Sequence, residues 1–158
     1  MKISILGCGW LGLPLAISLL DKHQIKGSTT TSSKLSELED AGIEPYLISL
    51  NPDLKCDDCS SFWESDLLVL NIPPGRGRED IVEHHARQIK SVVNEVRSSP
   101  VKRLIFISST SVYPALSGVV KESDAIPGKA GRESGNALLK AESMLTGEKA
   151  FETTIVRF

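Results

Sequence analysis

Cysteine is scarce in this chain of 158 residues, which contains only Cys8, Cys56 and Cys59. An odd count, with one member inside a glycine-rich turn, argues against a disulfide framework and suits a reducing compartment. Long apolar runs are missing as well: none approaches the roughly 20 residues of a membrane span. The N-terminus enters a strand almost at once, without the apolar segment and cleavage site of a signal peptide, so the expected location is cytoplasmic. Nor is there an excess of charge of one sign. A formal net charge of -2 gives no electrostatic case for nucleic acid or an anionic membrane as partner. The 41% hydrophobic and 24% charged fractions are those of an ordinary globular protein of one domain with a single core.

Metal ligands are sparse too. Cys56-Asp57-Asp58-Cys59 has C-x-x-C spacing, but a structural zinc ion would need two more ligands, and no histidine stands at finger-like spacing. Redox chemistry would need a lowered thiol pKa, which two intervening aspartates oppose. A solvated loop is the expected reading, and no metal site is assigned. His84 and His85 are adjacent, so on a helix they diverge by about 100° and cannot share a metal. They are expected on the surface.

What is present begins at the second residue. Ile3 to Leu6 is a short apolar run with the character of a buried strand. It breaks at Gly7-x-Gly9-x-x-Gly12, after which Leu15, Ala16, Leu19 and Leu20 follow in helical spacing. Strand, glycine turn and helix form the context a dinucleotide fingerprint requires. Gly7 permits the turn, Gly9 leaves the backbone open to a pyrophosphate, and Gly12 brings the helix close to the sheet. Trp10 and Leu11 would supply amides at the positive end of the helix. The bland alternative is a purely structural strand-to-helix turn.

Gln24 to Ser28 reads as a second strand leading into Thr29, Thr30, Thr31, Ser32, Ser33 and Lys34. A carboxylate here would take the ribose hydroxyls of NAD, whereas hydroxyls and a cation suit the 2′-phosphate of NADP. The acid is missing, so NADP is the expected cofactor, with NAD as the alternative. Ser32 or Ser33 could equally cap a helix over 34–41. Pro45 to Leu50 is a third strand, followed by a polar stretch over 51–66 that Phe62 and Trp63 anchor. Asp66 to Ile72 has the unbroken apolarity of a central parallel strand. Asn71, Ile72 and Pro73, at its carboxyl end, should border the cofactor; Arg76 and Arg78 beyond them could meet phosphate or solvent. A long helix over 79–97, a fifth strand ending at Ser108, a helix over about 131–145 and a sixth strand complete the chain; Ser108, at a strand's carboxyl end, is also expected to bind the cofactor. Strands and helices alternating in this way predict an α/β doubly wound parallel sheet, a Rossmann fold in strand order 3-2-1-4-5-6 spanning 1–158.

Ile5 to Gly12, the strand end at Val69 to Pro74 and Phe106-Ile107-Ser108-Ser109-Thr110-Ser111-Val112-Tyr113 together resemble the short-chain dehydrogenase/reductase superfamily. The resemblance is strongest to its extended and atypical epimerase/dehydratase-like members. It implies that Ser109, four residues before Tyr113, polarises a reacting carbonyl or hydroxyl. It also implies a Tyr-x-x-x-Lys pair on the next helix for proton transfer. Aligned on the glutamate usual to that helix, Ser134 stands at the tyrosine position and Leu138 at the lysine position, so both groups are absent. Lys140 lies about 200° round the helix from the required place. Tyr113 is left as either an acid or a packing or substrate-contact residue, with no evident cation beside it. Extended members continue into a substrate-binding lobe, which is expected to be absent from this chain. Two functions follow: an oxidoreductase or isomerase acting on a nucleotide sugar or similar hydroxylated substrate, or a non-catalytic cofactor-binding sensor or scaffold. The expected partners are a nicotinamide dinucleotide and a small-molecule substrate, and a homodimer is compatible with either function.

Overall fold

A computed structural model describes residues 1–75, 77–115 and 118–158. Six parallel strands form the sheet: β1 (Lys2–Leu6), β2 (Gln24–Thr29), β3 (Glu44–Leu47), β4 (Leu67–Leu70), β5 (Arg103–Ser108) and β6 (Glu152–Arg157). Their spatial order is β3-β2-β1-β4-β5-β6, the order expected. Among the described residues, four α-helices cross between them: α1 (Gly12–Leu19), α2 (Leu35–Asp40), α3 (Ile81–Arg97) and α4 (Glu133–Thr146).

Alternation along the strands divides the core in two. Ile3, Ile5, Ile25 and Val69 face Ala16 of α1 and Leu38 of α2. Leu68, Leu70, Leu104 and Phe106 face α3 and α4 on the other side. The third strand is shorter than the apolar run suggested. Beyond Thr29 no β2 backbone remains to pair with, so Ser49–Leu50 turns away and pairs antiparallel with Leu54–Lys55. The first helix ends at Leu19 because the amides of Leu20 and Lys22 bond back three residues, to Ile17 and Leu19.

The crossover from β3 to β4 carries no α-helix, and its polar stretch is tied down group by group. Phe62 and Trp63 sit in a 3-10 turn over Ser61–Trp63 and are buried, as expected. The Phe62 carbonyl accepts from Ser4 Oγ at 2.5 Å. Lys26, buried in β2, donates its ammonium to the carbonyls of Ser61 and Glu64. The reading of Cys56 to Cys59 as a solvated loop is corrected here. The two cysteines are joined, with their Cα atoms 6.0 Å apart, and Cys59 is buried beside Phe62 and Trp63. Counting cysteines fails because a bridge across three residues is local and needs no framework.

His84 and His85 are buried rather than exposed, a second correction. α3 packs on the sheet with one side and on α4 with another, so its buried arc is wide enough to take in both rings. Gln88 Nε2 donates to the Leu50 carbonyl at 2.7 Å, which leaves Gln88 Oε1 to accept from His85 Nδ1 at 3.0 Å. His85 Nε2 is then a buried acceptor without a partner among the described residues. Burial holds the His85 pKa below its usual 6.5. The unfolded chain therefore binds a proton that the folded chain refuses. Stability should be level above about pH 6.5 and fall as the pH drops below it. Melting curves from pH 8 to pH 5.5 should show this loss, and His85→Gln should flatten it; equal slopes in both proteins would refute the assignment.

Candidate functional site

The site is built at the carboxyl ends of β1, β2, β4, β5 and β6, where open parallel sheets bind ligands. Gly7 takes φ of 105°, a conformation that L side chains rarely adopt. Its amide donates to Ser28 Oγ at 2.9 Å, and the amide of Cys8 donates to the Ser28 carbonyl at 2.8 Å. Asn71 holds the turn from the other side, donating from Nδ2 to the Gly7 carbonyl at 2.9 Å. A Cβ on Gly7 would run into the Asn71 carbonyl oxygen, and one on Gly12 into the Gly7 carbonyl oxygen. Gly9 differs, since a Cβ there would meet nothing within 4 Å. Among the described residues, the amides of Gly9, Trp10 and Leu11 donate to no protein acceptor. Three unpaired amides thus stand together at the head of α1, the kind of group that takes a phosphate. Cys8 is part of the packing, and burial pushes its thiol up to about 11.

Between α1 and α2 lies a cleft of about 240 Å³. Gly9, Trp10 and Pro14 form one wall; Thr29, Lys34 and Glu37 line the other. Trp10, which lines this cleft, is 93% exposed. Thr29 is buried and its hydroxyl already accepts from the Thr31 amide at 3.2 Å. Thr30, Thr31 and Ser32 are exposed. Neither Ser32 nor Ser33 caps the helix: both fall in a 3-10 turn, Ser32–Lys34, that leads into α2 without a side-chain cap. A larger and more open hollow of about 890 Å³ lies around Met1, Gln24 and Asp66, at the opposite edge of the sheet from the glycine turn. That edge is the wrong one for a dinucleotide.

Ile72 and Pro73 continue from β4 past Asn71 toward the same edge, Ile72 half-buried against the core and Pro73 exposed. Arg76 lies outside the described residues. Arg78 pairs with Asp80 at 2.9 Å, and the guanidinium holds the Asp80 carboxyl below its usual range.

At the end of β5, Ser108 and Ser109 turn opposite ways. Ser108 is buried and donates from Oγ to Glu142 Oε1 at 2.6 Å. Ser109 Oγ accepts from the Ser111 amide at 3.2 Å and so caps the 3-10 turn Thr110–Val112. Tyr113 does have a cation beside it, which corrects the sequence reading. Arg157, at the end of β6, donates from Nη1 to Tyr113 Oη at 3.2 Å, and its guanidinium carbon lies 5.4 Å from the ring centre. Sequence distance hid the pair. The charge of that arginine is met by Glu142, which accepts from Nε at 3.0 Å and from Nη2 at 2.6 Å. Leu138, at the lysine position, is buried in the core. Ser134 is half-exposed, and Lys140 pairs outward with Glu83 of α3.

Sequence reasoning missed Ser28, Glu37, Gly135, Glu142 and Arg157. Gly135 carried a signal, being a glycine inside an otherwise helical pattern. A Cβ there would collide with the Ser111 carbonyl oxygen, so its absence lets α4 close on the serine-rich turn. Ser28, Glu142 and Arg157 carried none, because each acts through a partner remote in sequence, and Glu37 lines the cleft from α2 rather than from the end of β2.

Strand order, glycine turn and the crossing helices define a Rossmann fold. No family model matches the chain. In sequence it is similar to protein YeeZ of Escherichia coli strain K12, with 35% identity over 160 residues, covering 99% of this chain and 57% of YeeZ. The chain thus spans little more than half the length of that relative. In structure it is similar to UDP-glucuronic acid 4-epimerase from Bacillus cereus in complex with NAD, with a TM-score of 0.78 at 20% identity, covering 99% of this chain and 55% of that one. A short-chain dehydrogenase/reductase superfamily protein from Agrobacterium tumefaciens with bound NAD gives a TM-score of 0.75 at 19% identity, covering 100% and 49%. The Rossmann fold expected from the motifs is therefore shared with these structures. Among the described residues, no helix is long and apolar enough to cross a membrane.

Proposed function

We infer that this chain binds a nicotinamide dinucleotide, with the pyrophosphate on Gly7, Gly9 and Gly12 and the adenosine ribose in the cleft between Trp10 and Lys34. The observation that carries this reading is that the amides of Gly9, Trp10 and Leu11 have no protein acceptor among the described residues, while a Cβ on Gly9 would meet nothing within 4 Å. Those residues fit a pyrophosphate in shape and in charge. The exposed hydroxyls of Thr30, Thr31 and Ser32, together with the Lys34 ammonium, favour NADP. A flexible, exposed lysine delivers only part of a charge-assisted bond, so the expected preference for NADPH over NADH is about tenfold, or roughly 1.4 kcal/mol. Trp10 makes the test direct. It is exposed at the cleft while Trp63 is buried, so quenching of tryptophan emission reports binding, with Trp10→Phe as control. Saturable quenching by either reduced dinucleotide supports the reading. No binding of either at millimolar concentration would overturn it.

We further propose that the chain serves an oxidoreductase or isomerase acting on a nucleotide sugar or similar hydroxylated substrate. Ser109 would orient the reacting oxygen, and Tyr113 is the remaining candidate for a proton donor. Bound there, the nicotinamide would supply hydride transfer. A second reading, a binding protein without chemistry, is favoured by one observation: an apolar, buried Leu138 stands where a lysine would assist proton transfer. Ser109→Ala separates the two. Loss of about 100-fold or more in turnover with cofactor affinity retained marks an enzyme; unchanged rates across a broad panel of substrates mark a binder.

A further inference from the structure

We propose that Glu37 is a specificity residue that opposes Lys34 in the cofactor cleft: it accepts the ribose hydroxyls of NAD and repels the 2′-phosphate of NADP. This rests on the reading that the cleft takes the adenosine ribose. A search for a carboxylate at the end of β2 finds only Thr29 and Thr30, because the acid arrives from a different element. Glu37 stands in the first turn of α2, three residues after Lys34, and lines the same wall of the same cleft. Both side chains belong to exposed residues, and neither enters an ion pair among the described residues. Each is therefore free to turn toward a ligand.

Their charges act in opposite senses on the two cofactors. A 2′-phosphate brings nearly two negative charges, which Lys34 attracts and Glu37 repels. An unphosphorylated ribose brings two hydroxyl donors, for which a carboxylate is the better acceptor. Glu37 thereby limits the preference that the lysine and the hydroxyls would otherwise build.

The test measures the affinity of NADPH and NADH for the wild type and for Glu37→Gln, which keeps the shape and removes the charge. Because the residue is exposed, the melting temperature should change little. NADPH should bind about fivefold more tightly and NADH about threefold more weakly in the variant, shifts in opposite directions. Lys34→Gln should weaken NADPH about fivefold and leave NADH within about twofold. If the wild type binds and both affinities move together, or neither moves, Glu37 does not face the ribose and the proposal fails alone. If the wild type binds neither dinucleotide, the reading of the cleft fails and this proposal with it.

Discussion

Gly7→Ala is expected to lose about 3–5 kcal/mol of stability and all measurable dinucleotide binding. Two costs combine. Alanine must adopt φ near 105°, and its methyl group must displace the Asn71 carbonyl at the end of β4. The carbonyl cannot yield, because the Asn71 amide is bonded to the Leu6 carbonyl and its side chain to Gly7. Gly9→Ala should behave in the opposite way. A methyl there meets nothing within 4 Å, so stability should stay within about 0.5 kcal/mol of wild type. Dinucleotide affinity should nevertheless fall at least about tenfold, because the methyl occupies the approach of the pyrophosphate. Urea unfolding and fluorescence titration of the two variants separate a glycine that holds the fold from a glycine that serves the ligand. Equal stability loss in both would show that the turn is structural throughout.

Arg157→Leu is the second large effect. Glu142 is 8% exposed at its side chain and Arg157 20%, the most buried ion pair among the described residues. Removing the arginine strands a carboxylate whose remaining side-chain partner is Ser108. The expected loss is about 3–5 kcal/mol, because an uncompensated buried charge costs more than the pair contributes. For a domain of this size that corresponds to a fall in melting temperature of roughly 6–20 °C. Removing both charges in Arg157→Leu with Glu142→Leu should recover most of it. Failure of the double variant to recover would mean that Arg157 acts chiefly through Tyr113 and the Glu122 carbonyl, its other acceptors.

These two sites differ in how far the sequence disclosed them. The glycine turn is local: strand, turn and helix occupy consecutive residues, and each glycine has a steric task that spacing alone announces. The sheet order was legible for the same reason, since each strand carried its own apolar run and the rules of parallel crossovers restricted the rest. The Ser108–Glu142–Arg157–Tyr113 network was not legible. Its members come from β5, the turn after it, α4 and β6, and nothing in a strand ending Val156-Arg157 says which acid the guanidinium meets. Glu37 escaped because the search for a ribose acceptor stopped at the strand end. His84 and His85 were misplaced because periodicity locates one buried stripe, whereas α3 packs against both the sheet and α4. Cys56 and Cys59 were misjudged because the missing crossover helix obliges that loop to bury its own apolar groups.

A crystal structure with NADPH bound tests the central claim most directly. Pyrophosphate oxygens are expected within hydrogen-bonding distance, about 2.7–3.2 Å, of the amides of Trp10 and Leu11, with the adenosine ribose between Trp10 and Lys34 and the nicotinamide directed toward Ser109. A dinucleotide bound elsewhere, at the hollow around Met1 and Asp66 for instance, would contradict the account.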